Sequence, residues 1–222
     1  MKKSIFASIL LLTFVISPTS TLAAPSPTKQ TFAKKLGIHP NEISVYWNDK
    51  LGTPSLLHGS LSAPSKHSPQ WITYGFLFKL RSVYGLRDPY RDLQLVEFVR
   101  TSDDDTNLTL QQMLFEIPLY GATLSVHIDR CGVVRRVEGT IYPHMERTLF
   151  NRATHPAVSL NQAKKIASRQ LVGKDAYVQD ATLYYYPLRS GTQLIYEVTS
   201  RAAGSESIFR TKVHALMGHV IP

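Results

Sequence analysis

One cysteine, Cys131, stands in 222 residues. A lone cysteine closes no bridge within the chain, so the fold has to be held by its core rather than by disulfides. Asp129-Arg130 precede it and Gly132 follows, a turn signal, and Cys131 is read as a turn residue. Long basic runs are also missing. The formal net charge is +9, but the lysines and arginines are scattered singly or in pairs. With no basic cluster and no recognition motif, nucleic acid is not expected as a partner. The charge points instead to an acidic protein or to an anionic cell envelope.

Catalytic signatures are absent too. None of the eight histidines stands in a His-Glu-x-x-His arrangement, which places two imidazoles one helical turn apart on zinc and a glutamate beside them as base. His214 and His219 are five residues apart in a strand-and-turn segment and are read as ordinary surface histidines. No Gly-x-Ser-x-Gly elbow, phosphate loop or dinucleotide fingerprint occurs. Asp103-Asp104-Asp105 with Asn107 reads as a solvated hairpin tip, because the further oxygen ligands of a calcium loop are missing. No enzyme activity, cofactor or metal is expected.

At the start of the chain, Lys2-Lys3 are followed by an apolar stretch from Ile5 to Ile16, a break at Ser17-Pro18 and small residues at Ala23-Ala24. This is the pattern of a secretory signal peptide over residues 1–24, and the apolar stretch falls short of the about 20 residues a membrane span needs. The expected location is extracytoplasmic, with no integral span once the leader is removed.

Hydrophobic periodicity organises the remainder. Residues 53–70 carry three prolines and several serines and read as loop and extended chain, and Phe32 to Trp47 shows no long period. Ile72, Phe76, Leu80, Val83 and Tyr84 recur at helical spacing up to Gly85. The period then becomes two: Leu93 and Leu95; Leu108, Leu110, Gln112 and Leu114; and Leu124, Val126 and Ile128. A turn at 129–132 leads into a return strand through Ile141. Ser159 caps a second helix with Leu160, Ala163, Ile166, Ala167 and Leu171 as its apolar stripe and Gly173 as its stop. Three strands follow, at Tyr177–Tyr186, Gln193–Ser200 and Ile208–Ala215, separated by Ser190-Gly191 and Gly204-Ser205, with a last turn at Gly218. The expected class is α+β, two consecutive helix-on-antiparallel-sheet units, over residues 25–150 and 151–222.

The segment from Leu110 to Pro143 carries a more specific pattern. It holds Gln111 and Gln112, then Ile117-Pro118-Leu119-Tyr120-Gly121, then Val126-His127-Ile128-Asp129, and finally Gly132, Gly139 and Pro143. It resembles the core of the fungalysin/thermolysin propeptide domain, with Glu116 and Leu119 standing where that family usually has Gly and Val. Gly52 to Ser65 resembles the opening of the same domain, and residues 156–222 resemble a PepSY domain. The resemblance implies cystatin-like folds and a non-catalytic protein that binds a thermolysin-like zinc metalloprotease, inhibiting it or assisting its folding. Family members continue into the protease, whereas this sequence stops at Pro222, so action in trans is the expectation. Ile117, Pro118, Leu119, Tyr120 and Gly121 are the implied partner-binding residues, together with a tail of Leu216, Met217, His219, Val220, Ile221 and Pro222 that enters or borders the protease cleft. Three alternatives stand beside this reading: a tail that merely completes the sheet, a cell-envelope binding module with no protease partner, and the remnant of a truncated protease precursor.

Overall fold

The computed structural model describes residues 29–101, 103–148, 154–171, 176–188, 191–203 and 206–222. The expected signal peptide, the helix stop at Gly173, and Ser190, Gly204 and Ser205 lie outside the described residues.

The fold is mixed α+β and mostly strand. Helix α1 (Lys29–Leu36) precedes strands β1 (Ile43–Asn48) and β2 (Thr53–Gly59), then helices α2 (Pro69–Tyr84) and α3 (Pro89–Asp92). Strands β3 (Leu93–Arg100), β4 (Thr106–Leu114), β5 (Ile117–Ile128) and β6 (Val134–Gly139) follow, then the single turn α4 (Met145–Thr148) and helix α5 (Leu160–Ser168). Strands β7 (Ala176–Leu188), β8 (Gly191–Ala202), β9 (Ile208–His214) and β10 (Val220–Ile221) complete the chain. Hydrogen bonding runs β1-β2-β6-β5-β7-β8-β9-β10, with β4 pairing β5 and β3 pairing β4.

Two segments take on more structure than their sequence suggests. Phe32, Ala33 and Leu36 are buried on α1, which is too short to repeat a period. Residues 53–59 are a full strand between β1 and β6 rather than loop. Pro54 is tolerated because β6 pairing begins only at Leu56, so its missing N–H breaks no bond to β6.

Helix α2 is defined at both ends. The Ser68 side chain accepts from Trp71 N, Pro69 occupies the first turn, and Gly85 closes the last. Its buried face, including Ile72, Leu77, Leu80 and Tyr84, packs with Leu57, Leu108, Leu110, Leu124, Val126, Ile128 and Val137 in a first core. In α5 the Ser159 hydroxyl and the Gln162 side chain form a reciprocal capping box. Ala163 and Ala167 of α5 pack with Ala181, Tyr185, Leu194, Tyr196, Val198 and Val213 in a second core. Leu160, expected in that apolar stripe, is the first residue of the helix and is 42% exposed instead.

Strand β5 belongs to both cores. Leu124, Val126 and Ile128 face the first, whereas Leu119 and Ala122, with Leu114 of β4, face the second. Leu119 also makes the parallel pairing with Tyr185 that joins β5 to β7.

Two inward positions on β4 are polar, Thr106 at its start and Gln112. Gln112 is 4% exposed, and its amide copies a strand neighbour: Nε2 donates to Tyr142 O at 2.8 Å and Oε1 accepts from Tyr142 N at 2.9 Å. Truncation to alanine strands both backbone groups of Tyr142. Gln112→Ala is therefore expected to lower unfolding free energy by about 2 kcal/mol, read as a fall in the urea midpoint.

The acidic hairpin tip is tied down rather than merely solvated. Asp105 Oδ1 accepts from Arg130 N at 3.0 Å and Oδ2 lies 3.3 Å from His127 Nε2, which binds the β3–β4 turn to the β5–β6 turn. Cys131 is exposed on the latter turn with a free thiol.

Candidate functional site

The Ile117–Gly121 segment does not present its side chains to one surface. β4 and β5 pair at Met113–Pro118 and next at Gln111–Thr123, so Leu119 to Ala122 form a bulge. Gly121 holds φ +70 there, a left-handed conformation that most side chains resist. The Gln111 side chain fastens the bulge, with Nε2 at 2.7 Å from Leu119 O and 3.0 Å from Ala122 O. Ile117 packs against the second core, Pro118 is half-buried and Gly121 exposed. Leu119 is fully buried and has no surface to offer a partner, a correction to its expected role. Of the five residues, Tyr120 is the one whose ring joins a cluster on the sheet face opposite α5.

That face carries an aromatic and charged cluster drawn from four strands. The Tyr120 ring meets Tyr184 and Tyr186 of β7 edge-on, with centroids 5.6 and 5.3 Å apart. Its hydroxyl donates to Glu197 Oε1 of β8 at 3.1 Å, and Arg210 Nε of β9 lies 3.8 Å from the same oxygen. Burial, and then the neighbouring Glu197 charge, push the Tyr120 and Tyr184 phenols above their ordinary range, so both stay neutral donors at physiological pH. The Lys212 ammonium of β9 sits 4.8 Å from the Tyr186 ring centre and 5.6 Å from that of Tyr120.

The tail reaches the same place. Val220 and Ile221 pair with Val213 and Lys212 as the last strand, and Lys212 Nζ donates to Pro222 O at 3.4 Å. Lys212 thus stands between Tyr120 and Pro222, two expected site residues far apart in sequence. Leu216 and Met217 lie at the tip of the turn, Met217 76% exposed, and His219 is exposed above His214. His214 is 7% exposed and is not the surface residue expected, because the tail folds over it. Its Nδ1 accepts from Leu216 N at 3.2 Å and Met217 N at 3.3 Å, and its ring stacks on His219 at 5.1 Å.

Tyr184, Tyr186, Glu197 and Lys212 had no motif to mark them. Their one signal is alternation: Tyr184 and Tyr186 share a face of β7, and Glu197 is the cross-strand partner of Lys212. Among the described residues no group of three or more His, Cys, Asp or Glu is placed to hold a metal ion, and no helix is long and apolar enough to cross a membrane.

No protein-family model matches the chain. It is similar to thermolysin of Alicyclobacillus acidocaldarius subsp. acidocaldarius, 27% identical over 175 residues, covering 74% of this chain and 31% of that protein. It is also similar to bacillolysin of Brevibacillus brevis, 26% identical over 208 residues, covering 89% and 36% respectively. The chain thus spans about a third of the length of the curated relatives it matches, and the thermolysin match falls in the propeptide region. Among solved structures it is similar to the C-terminal domain of Bacillus megaterium YpeB, with a TM-score of 0.40 and 13% identity over 86% of this chain and 92% of that one.

Proposed function

We propose that this chain is a non-catalytic, extracytoplasmic propeptide-like protein that binds a thermolysin-like zinc metalloprotease in trans, inhibiting it or assisting its folding. The observation that carries the proposal is the similarity to thermolysin precursors over about a third of their length, in the propeptide region. In this reading residues 25–150 form the propeptide-core unit and 151–222 the PepSY-like unit. The partner surface comprises Tyr120 with Tyr184, Tyr186, Arg210 and Lys212, and the tail from Leu216 to Pro222. Tyrosine and arginine supply much of the energy of protein interfaces, since they bury area while keeping a polar end to orient the partner. The net positive charge suits an acidic protease surface. Binding to the folded protease, or to its folding transition state, stabilises that species by the free energy of association.

The protein lacking residues 1–24, titrated into a thermolysin-like protease with casein as substrate, is expected to inhibit with a Kd of about 1 μM or tighter. It releases no peptides alone. The Tyr120→Ala, Lys212→Ala double variant is expected to inhibit at least about tenfold more weakly while circular dichroism shows it still folded at the assay temperature. Absence of both inhibition and a complex on size-exclusion chromatography, across several such proteases, would overturn the proposal.

A further inference from the structure

We infer that His214 is a pH-sensitive pin, holding the C-terminal hairpin over residues 214–222 closed at neutral pH and releasing it in acid. The geometry rests on one atom. Nδ1 accepts from two backbone N–H groups, those of Leu216 and Met217, so it carries no hydrogen and the ring is neutral. Protonation places a hydrogen on Nδ1 and turns the acceptor into a donor aimed at two other donors. Both turn amides lose their partner in one step. Ala215 stays anchored, since its N donates to Leu194 O at 2.8 Å and its O accepts from Ala157 N and Val158 N at 3.0 and 2.9 Å. Beyond it the turn and tail keep Gly218 N to His214 O at 2.9 Å, His214 N to His219 O at 2.8 Å, the two-residue pairing of β10 and Lys212 Nζ to Pro222 O at 3.4 Å.

The surroundings oppose the charged ring. His219 stacks on it from the returning tail, and Lys212 stands two residues away on the same face of β9. β8 places Ile195 directly opposite, and the acid next along that face, Glu197, is engaged by Tyr120 and Arg210. None of these neighbours brings a free carboxylate to offset a charge on His214. Burial, then His219, hold the His214 pKa below 6.5. A depressed folded pKa means that the neutral-form stability is fully present above 6.5 and is lost as pH falls through the folded value.

That opening would change the proposed protease contact of Leu216 to Pro222 rests on the function proposed above; the opening itself does not. Backbone hydrogen exchange on the protein lacking residues 1–24, corrected for intrinsic rates, tests it at about pH 5 and about pH 7.5. Amides of 216–221 are expected to lose at least about tenfold protection at the lower pH while β7 and β8 keep theirs. His214→Asn supplies an acceptor oxygen at nearly the Nδ1 position without a titratable ring, and is expected to keep the tail protected at both pH values. Equal protection of the wild-type tail at both pH values, or acid opening of H214N to the wild-type extent, would overturn the inference. Protease inhibition measured in parallel separates the two proposals: acid opening with no change in inhibition upholds the pin and removes the tail from the proposed interface.

Discussion

Gly139→Ala is expected to destabilise the protein by about 3 kcal/mol, with a lower urea midpoint and an unchanged denaturant slope. Two effects act together. Gly139 holds φ +142, a conformation essentially closed to L side chains. A Cβ there would also collide with Thr123 O and stand 3.0 Å from Leu124 Cα. Both obstacles are backbone of the neighbouring strand, where Gly139 pairs Leu124 and Thr140 N donates to Thr123 O at 2.9 Å. Relief therefore requires parting β5 from β6 at the edge of the first core. Gly121→Ala is the control: a methyl group added there, at φ +70, meets nothing within 4 Å, so only the backbone cost of about 1–2 kcal/mol applies.

Leu119→Ala is expected to have a comparable effect, about 3 kcal/mol, and to act on stability rather than on partner binding alone. Leu119 is fully buried in the second core and lies in the residue pair that joins β5 to β7. Truncation leaves a cavity where β4, β5 and β7 meet, and close packing leaves little slack to refill it. Unfolding followed through tyrosine fluorescence is expected to shift as one transition. Leu119→Met, which nearly conserves volume, is expected to restore most of the loss.

The fold was legible wherever one face of an element is buried over several turns or residues. α2, α5 and the alternating strands β4 and β5 met that condition. α1 has only eight residues, and β2 carries a proline at its second position, so neither offered a readable period. The link between β5 and β7 is a single parallel pair, Leu119 with Tyr185, and leaves no local pattern at all. The candidate site was legible in part for the same reason. Tyr120 lies inside a motif-bearing segment, but its neighbours Tyr184, Tyr186, Glu197 and Lys212 come from three other strands and meet only in the folded sheet. Leu119 was misread because a motif does not say which of its residues face inward; the bulge at Gly121 turns Leu119 in and Tyr120 out.

The strand order also sets a timetable. β7, β8 and β9 each pair with the next strand in sequence, so their contacts close over short loops. β2 has to wait for β6, since Leu57 meets Val137 only after the whole of α2 to β5 has been made. Ring closure over so long a stretch costs chain entropy before any contact offsets it, and contacts distant in sequence form slowly. The strands that bear most of the aromatic and charged cluster, although synthesised last, can therefore pair among themselves as soon as they emerge, whereas the β1–β2 hairpin, synthesised early, finds its final place only once β6 has emerged.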